Sequence, residues 1–235
     1  MDVLYTLKNC NKCEELIYSL RSLKNLPHDR VFFVGGCANS VKRENVFYIP
    51  NKQDKGKWRN STANVKLACL DDRLSDDFIL MNDDFFILEE VKDPTDELNL
   101  HRGSIKNVYD YYAKKYSNET EWSKGMRLTE EVIKAQGIKE PLCYELHIPM
   151  VINKKKFLDI FNIKGLETIN CLHKRSLYGN LYLKGSKYAE DVKVLNSGGF
   201  DPGKYRKFLS CSDSGFKKVK DFLSSKFAEK SVYEV

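Results

Sequence analysis

The sequence lacks a long apolar stretch. None of the apolar runs in its 235 residues approaches the roughly 18 residues that a membrane-spanning helix needs. No basic leader of the secretory kind is visible either, so we predict a cytoplasmic protein without a membrane span. A strong charge of one sign is missing as well, because 39 Lys and Arg oppose 33 Asp and Glu. The resulting net charge of +6 permits an anionic partner but does not require one.

Cysteine is not dense enough for a secreted domain held by disulfides. The seven cysteines are an odd number and are scattered along the chain. Cys10 and Cys13 form a Cys-x-x-Cys motif, which is compatible with zinc or redox chemistry, but no second pair follows at the spacing of a zinc site. We interpret the cysteines as free intracellular thiols. The motif is then two small residues where a strand turns into a helix.

Apolar residues are plentiful, which excludes a disordered chain. They make up 42% of the sequence and include 13 Phe and 13 Tyr. Up to residue 90, short apolar runs alternate with segments of helical periodicity. The predicted strands are 3–7, 30–34, 46–49, 78–81 and 85–88, and the predicted helices are 14–26 and 61–74. This order predicts an α/β fold of the Rossmann-like kind, with a mostly parallel central sheet flanked by helices.

The second half of the chain has a different character. Residues 93–140 are polar, charged and rich in Tyr and Trp, and we predict a helical insertion within a single domain that spans residues 1–235. The predicted elements that follow are a strand at 142–152, a helix at 154–161, an irregular segment at 176–183, a strand at 192–195 and an amphipathic helix at 214–230.

The most informative motif is the polar trio Asn82, Asp83 and Asp84, which interrupts two apolar runs. In open α/β sheets, ligands bind outside the carboxyl ends of the strands. Two adjacent carboxylates repel each other unless a cation neutralises them, and a divalent ion with oxygen ligands suits that position. The alternative is a solvated turn in which Asn and Asp bond to their own backbone. We predict a site for a divalent metal ion at this trio.

Several segments resemble a known family. The acidic strand end resembles the metal-binding motif of nucleotide-diphospho-sugar transferases with the A-type glycosyltransferase fold. More specifically, the chain resembles the Stealth family of sugar-phosphate transferases at residues 2–6, 18–23, 60–86, 147–149 and 175–176. The resemblance is good over residues 1–90 and patchy over 140–180. Where that family has a Glu on the helix before the acidic strand, this chain has Asn64, Val65 and Lys66.

The resemblance implies a nucleotide-diphosphate sugar as donor and a set of site residues. Asp84, with Asp83 close by, would hold Mn²⁺ or Mg²⁺ against the donor diphosphate and would be catalytic through that ion. His147 would be a metal ligand or a general base. Glu145 would share a strand face with His147 and form an acid/base pair with it. Arg175, together with Lys174, would clamp the diphosphate. The further candidates for donor binding are Tyr5, Thr6, Arg21, Arg59, Asn64, Lys66 and Asn82. Each of these residues has an ordinary alternative as a packed or solvated side chain.

The acceptor side is indicated by basic clusters at residues 52–59, 154–156 and 217–220. Basic residues interleaved with aromatics suit nucleic acid, although such runs also form plain solvated faces. By analogy with phage DNA glucosyltransferases, a hydroxymethylated DNA base is one predicted acceptor, and a glycan is the other. We expect the 93–140 insertion to lie on the acceptor side.

The sequence therefore predicts a metal-dependent glycosyltransferase that moves a sugar to a hydroxyl of a larger acceptor. One alternative is transfer of sugar-1-phosphate with release of a nucleoside monophosphate. A second is a non-catalytic nucleic-acid-binding module that has kept the fold.

Overall fold

A computed structural model describes residues 1–9 and 13–235, and in this part of the chain ten strands and eight α-helices are present. The strands are β1 (Asp2–Leu7), β2 (Val31–Gly35), β3 (Phe47–Pro50), β4 (Asp77–Met81), β5 (Phe85–Ile87), β6 (Leu100–His101), β7 (Met150–Asn153), β8 (Lys187–Tyr188), β9 (Lys193–Val194) and β10 (Phe208–Cys211). The helices are α1 (Glu14–Ser22), α2 (Lys57–Cys69), α3 (Pro94–Glu97), α4 (Ile105–Tyr116), α5 (Glu121–Ala135), α6 (Lys154–Asp159), α7 (Lys174–Tyr182) and α8 (Phe216–Lys226).

The central sheet has five strands in the order β3-β2-β1-β4-β7. The first four of these are parallel to their neighbours, and β7 joins the edge antiparallel to β4. A three-stranded sheet in the order β5-β10-β9 and a two-stranded sheet of β6 and β8 complete the pairing. The prediction of a mostly parallel α/β sheet flanked by helices is confirmed.

Apolar side chains cover both faces of the sheet, which is why its strands read as continuous apolar runs. In β1, Leu4 points into the core that contains α2, whereas Val3 and Tyr5 point into the opposite core that contains α1. This alternation follows from the two-residue period of a strand. The polar residues that follow β1 and β4 are therefore pushed to one edge of the sheet, where the candidate site lies.

The segment 93–140 contains α3, β6, α4 and α5. Its residues Ile105, Met126 and Ile133 are buried in the same core cluster as Leu177 of α7. The helices of this segment thus pack on the body of the sheet, and α5 brings Trp122 to the candidate site.

Three of the predicted elements differ clearly from the structure. Helix α2 begins at Lys57 after Gly56, four residues before the predicted start at residue 61. The strand predicted at 142–152 is paired as a strand only from Met150. The segment 176–183, predicted to be irregular, is helical up to Tyr182 within α7. Strand β10 was not predicted, because four residues carry too little periodicity to stand out from a loop.

The cysteine interpretation needs one correction. In the described residues the free thiols are Cys37, Cys69, Cys143, Cys171 and Cys211. Cys13 is disulfide-bonded, so the interpretation as a free thiol is wrong for this residue. Cys10 of the Cys-x-x-Cys motif lies outside the described residues. Over the described ranges, no helix is both long and apolar enough to cross a membrane.

Candidate active site

The site begins where β1 and β4 end side by side. Their register pairs Tyr5 with Met81, so the next residues, Thr6 and Asn82, meet at the edge of the sheet. The Thr6 hydroxyl donates a hydrogen bond to Oδ1 of Asn82 at 3.3 Å. Both side chains line the cleft, as predicted from the position of ligand sites in open α/β sheets.

The cleft at this edge has a volume of about 770 Å³. Strand ends, the start of α1 and one face of α2 contribute to its walls. The charged and polar side chains that line it are Thr6, Lys8, Glu15, Gln53, Lys57, Asn60, Ser61, Asn64, Asn82, Asp83, Asp84, Lys193 and Asp213. Its size and mixed lining suit a polar ligand that is larger than a single sugar ring.

Two glycines let the backbone approach closely on one side of this cleft. Gly35 has a φ of +101°, a conformation that favours glycine. A Cβ atom on Gly36 would lie 2.2 Å from the carbonyl carbon of Lys8. No larger residue fits there without moving the backbone. Gly35 and Gly36 therefore mark a close crossing of two strand ends rather than a plain turn.

The two carboxylates after β4 differ in their surroundings. Asp84 Oδ2 lies 3.1 Å from the ammonium of Lys193, and Ser210 donates a weaker hydrogen bond to the same oxygen at 3.4 Å. Burial, together with the adjacent Asp84 charge, raises the pKa of Asp83 to about 6, and Lys8 offsets only part of this. Asp83 is therefore a carboxylate whose negative charge is poorly compensated in the protein alone.

A second, smaller pocket adjoins the cleft and shares Thr6, Ser61 and Asn82 with it. Its other polar walls come from the N-terminus of α7 and from the segment before β7. The residues added by these walls and by α5 are Trp122, Glu145, His147, Lys174 and Arg175. The two cavities together form one continuous candidate site.

Lys174 and Arg175 supply positive charge to this pocket. The Lys174 ammonium donates to the Ser61 hydroxyl at 2.8 Å, which ties α7 to α2. Arg175 donates from Nη2 to the Ile148 carbonyl at 2.5 Å and lies over the ring of Phe85. Its Nε is buried without a hydrogen-bond partner. An orphaned donor on a guanidinium that is only 8% exposed suits an anionic ligand, since buried polar groups are otherwise hydrogen-bonded.

Glu145 stabilises the first turn of α7, which carries these two cations. Its Oε1 accepts hydrogen bonds from the backbone N–H and the hydroxyl of Ser176, in the first turn of α7. His173 Nδ1 lies 3.8 Å away. Burial opposes ionisation of Glu145, but His173 and the neighbouring cations lower its pKa to about 2. Glu145 is thus an ionised carboxylate at a helix N-terminus, and the structure gives it no proton to donate at neutral pH.

His147 forms a tight pair with Asp191. Its Nδ1 lies 2.9 Å from both carboxylate oxygens of Asp191, and its backbone N–H donates to Oδ1 at 3.2 Å. Arg102 approaches the other side of the same carboxylate at 2.9 Å. Burial opposes ionisation, but His147 and Arg102 lower the pKa of Asp191 to about 2. The Asp191 carboxylate fixes the imidazole so that Nε2 remains as the ring nitrogen for chemistry in the pocket.

The strand argument that placed Glu145 and His147 on one face is wrong, because this segment is not paired as a strand. Both side chains nevertheless line the same pocket. In addition, no group of three or more His, Cys, Asp and Glu side chains is arranged to hold a metal ion in residues 1–9 and 13–235. His147 is therefore not gathered with Asp83 and Asp84, and the predicted three-residue metal set is not assembled.

Two of the predicted donor-binding residues lie away from the cleft. Tyr5 is fully buried, and its hydroxyl is 3.0 Å from that of Ser19. Arg21 donates from Nε and Nη2 to both carboxylate oxygens of Glu234, each at 2.8 Å. The C-terminal residues thus occupy the guanidinium of Arg21, and core packing occupies Tyr5. Neither prediction of donor contact is supported.

Of the five other candidates for donor binding, Thr6 lines the cleft, and the remaining four divide between two cavities. Asn64 lines the cleft, and its Oδ1 accepts hydrogen bonds from the side chains of Asn51 and Gln53. Asn82 lines it as well. Arg59 and Lys66, by contrast, line a separate pocket on another face of α2.

Sequence reasoning missed Trp122, Lys193 and His173 as parts of the site. Trp122 accepts a hydrogen bond at its carbonyl from His173 Nε2 at 2.9 Å and contacts the imidazole edge-on. Lys193 comes from a strand of only two residues. Nothing local in the sequence distinguishes these residues from ordinary loop or surface positions, so only the tertiary fold brings them in.

The shape of the whole chain resembles that of known transferases. A crystal structure of the galactosyltransferase LgtC, in complex with donor and acceptor sugar analogs, aligns over 99% of this chain and 97% of its own, with a TM-score of 0.56. The chain has the A-type glycosyltransferase fold. An active-site mutant of LgtC aligns over the same shares with a TM-score of 0.50. The identity is 11% in both cases, so the likeness establishes the shared fold.

No protein-family model and no curated protein sequence matches the chain. The finer resemblances, to Stealth sugar-phosphate transferases and to phage DNA glucosyltransferases, therefore stay predictions. The general expectation of an A-type fold is confirmed by the similarity of this chain to the two LgtC structures.

Proposed function

We propose that the protein is a glycosyltransferase that moves a sugar from a nucleotide-diphosphate sugar to a hydroxyl of a larger acceptor. The observation that carries the proposal is the presence of two charge sets in one continuous cavity at the carboxyl edge of the sheet. Asp83 and Asp84 line the larger cleft, where Lys8, Lys57 and Lys193 also lie, and Lys174 and Arg175 line the adjoining pocket with Glu145. This arrangement suits a ligand that bears a diphosphate and can share a cation with carboxylates.

The pair Asp83 and Asp84 fits a divalent cation of the Mn²⁺ or Mg²⁺ type. The donor atoms of Asp83 and Asp84 are all oxygens, and the raised pKa of Asp83 reflects negative charge that the protein leaves uncompensated. Such ions are commonly held by one or two carboxylates together with substrate phosphates, rather than by a complete protein cage. Asp83 and Asp84 would hold the ion, which when bound neutralises charge that develops on the leaving nucleotide.

The pocket that Lys174 and Arg175 line suits the donor phosphates. Arg175 lines this pocket and keeps one guanidinium nitrogen, Nε, without a hydrogen-bond partner, and guanidinium groups suit phosphate as a hydrogen-bond acceptor. Lys174 is held at the same pocket through Ser61. Glu145 orients both cations from behind through the first turn of α7, so we assign it a positioning role and not that of an acid.

His147 is the group best placed to take a proton from the acceptor hydroxyl. Its Nδ1 is occupied by Asp191, and its Nε2 has no hydrogen-bond partner in the described residues. An ionised carboxylate behind an imidazole fixes the tautomer and stabilises the imidazolium that forms when Nε2 accepts a proton. Trp122 of α5 lines the same pocket, which supports placing the 93–140 segment on the acceptor side.

Incubation of the protein with Mn²⁺ and a panel of nucleotide sugars, with and without candidate acceptors, tests the proposal. The nucleotide released is then identified by chromatography. Release of a nucleoside diphosphate supports glycosyl transfer. Release of a monophosphate supports the Stealth-type reaction instead, and no release from any donor supports a non-catalytic binding module.

A further inference from the structure

A third pocket lies behind α2 and takes no part in the proposed reaction. The α2 residues Arg59, Thr62 and Lys66 line it, whereas Asn60 and Asn64 of the same helix line the cleft. This division follows from the three- and four-residue spacing of a helix face. Helix α2 is therefore a wall with a cavity on each side.

The rim of this third pocket carries positive charge that the protein does not neutralise. Lys55, Arg59 and Lys66 line it, and Glu167 is its one acidic lining residue in the part of the chain that the structure describes. Neither Lys55 nor Arg59 forms an ion pair with any described residue, and the Lys66 ammonium lies 4.6 Å above the ring of Phe161. Several exposed lysines elsewhere are paired, by contrast. Examples are Lys106 with Asp110 and Lys134 with Glu130.

The floor of the pocket is apolar. Leu166, Ile169 and Leu172 form it with Phe161, and the first three are less than 10% exposed. The cavity volume is about 300 Å³. That volume lies at the lower end of the range for ligand pockets, about 300–1,000 Å³, which favours one planar ring system over a long lipid chain.

We propose that this pocket binds one nucleotide unit of a single-stranded nucleic acid. The base would lie on the apolar floor beside Phe161, and the flanking phosphates would contact Lys55, Arg59 and Lys66. Lys57 lines the cleft at the start of α2, so basic side chains continue from the pocket toward the site. Binding of a single strand in this pocket does not depend on the proposed function. Only the assignment of that strand as the acceptor rests on it.

Fluorescence anisotropy of a labelled decathymidylate tests the inference without any sugar donor present. For single strands the logarithm of the affinity falls by about 0.7 per phosphate contact for each tenfold rise in salt. The Arg59→Ala/Lys66→Ala variant should therefore flatten the salt slope by about 1.4 and weaken binding about 25-fold at 0.1 M NaCl. Arg206→Ala/Lys226→Ala, which removes the same formal charge from exposed positions outside the 93–140 segment, should change neither quantity appreciably.

A substitution that leaves the charge unchanged tests the space in the pocket separately from its electrostatics. Ala63 is half-buried and lines the pocket, so Ala63→Phe fills it while leaving the net charge unchanged. Loss of base stacking should weaken binding about tenfold with little change in salt slope. Thermal unfolding of each variant checks that the fold is retained.

Three outcomes would overturn the inference. One is an equal loss of affinity in the Arg59→Ala/Lys66→Ala variant and in its charge-matched control. The second is unchanged binding by a folded Ala63→Phe variant. The third is binding to phosphatidylglycerol vesicles but not to the oligonucleotide, which would make the pocket a lipid site. Failure of the wild-type protein to release nucleotide from any donor, with oligonucleotide binding intact, would instead refute the proposed function and leave this pocket as inferred.

Discussion

Asp83 should destabilise the metal-free protein at neutral pH. Burial and the neighbouring Asp84 raise its pKa from 3.8 to about 6. The unfolded chain releases this proton near its ordinary pKa, whereas the folded protein retains it up to about pH 6. The stability that this group contributes is therefore fully present below about pH 4 and is lost as pH rises through 6. Replacement of Asp83 by Asn, which does not titrate, should remove this pH-dependent loss of stability.

The size of the effect follows from the shift. A difference of about two pH units corresponds to roughly 3 kcal/mol at 1.36 kcal/mol per unit. Because Asp83 is partly exposed, we expect Asp83→Asn to stabilise the protein by about 2 kcal/mol at pH 7.5. For a chain of this length that gain raises Tm by about 4 to 8 °C.

Urea unfolding of the wild type and of Asp83→Asn, in EDTA from pH 4 to pH 8, measures the effect. The difference in free energy of unfolding should be near zero at pH 4 and should grow through pH 6. Asp213→Asn is the matched control, because this side chain lines the same cleft but is 96% exposed, and we expect a change within about 0.5 kcal/mol. A pH-independent difference, or destabilisation at pH 7.5, would refute the reasoning.

Three further substitutions probe other parts of the account. Asp191→Asn should lower kcat about 100-fold with little change in KM, because His147 loses the carboxylate that orients it, and steady-state kinetics with an unchanged kcat would exclude this role. Arg21→Met should cost about 3 kcal/mol in urea unfolding, since it leaves Glu234 buried without its partner, whereas a cost under about 1 kcal/mol would contradict a structural role. Gly36→Ala should destabilise the fold by about 3 kcal/mol through its clash with the backbone at Lys8, and an unchanged Tm would show that this crossing is looser than described.

The central sheet was predictable because its chemistry is local. Buried parallel strands need apolar residues on both faces, and β1, β2 and β4 show this in runs of three or four consecutive apolar residues, at 3–5, 31–34 and 78–81. The polar residues at the carboxyl ends of β1 and β4 were predictable for the same reason. Once two neighbouring strands are parallel, Thr6 and Asn82 must meet at one edge.

Helix α7 shows where local reasoning fails. Gly179 and Asn180 disfavour a helix on propensity alone. In the structure a Cβ on Gly179 would lie 2.5 Å from the ring of Tyr144, so glycine is required by tertiary packing. The helix is further stabilised by Glu145 at its first turn. Contacts with residues more than 30 positions away determine that this segment is helical. A short window of sequence does not include those residues.

Only part of the candidate site could be predicted from the sequence, for a related reason. Asp83 and Asp84 follow a strong strand and could be placed, whereas Lys193 and Trp122 reach the cavity from a two-residue strand and from the 93–140 segment. Arg21 illustrates the opposite error. A lone basic residue suggested phosphate binding, yet its partner is Glu234 at the far end of the chain.

The central claim is tested most directly by the nucleotide that the protein releases from its donor, compared between wild type and Asp84→Asn. We expect the wild type to release a nucleoside diphosphate with Mn²⁺ present, and Asp84→Asn to release almost none while its Tm stays close to that of the wild type. Release at the wild-type rate by a folded Asp84→Asn variant, or no diphosphate from any donor with the wild type, would contradict the account.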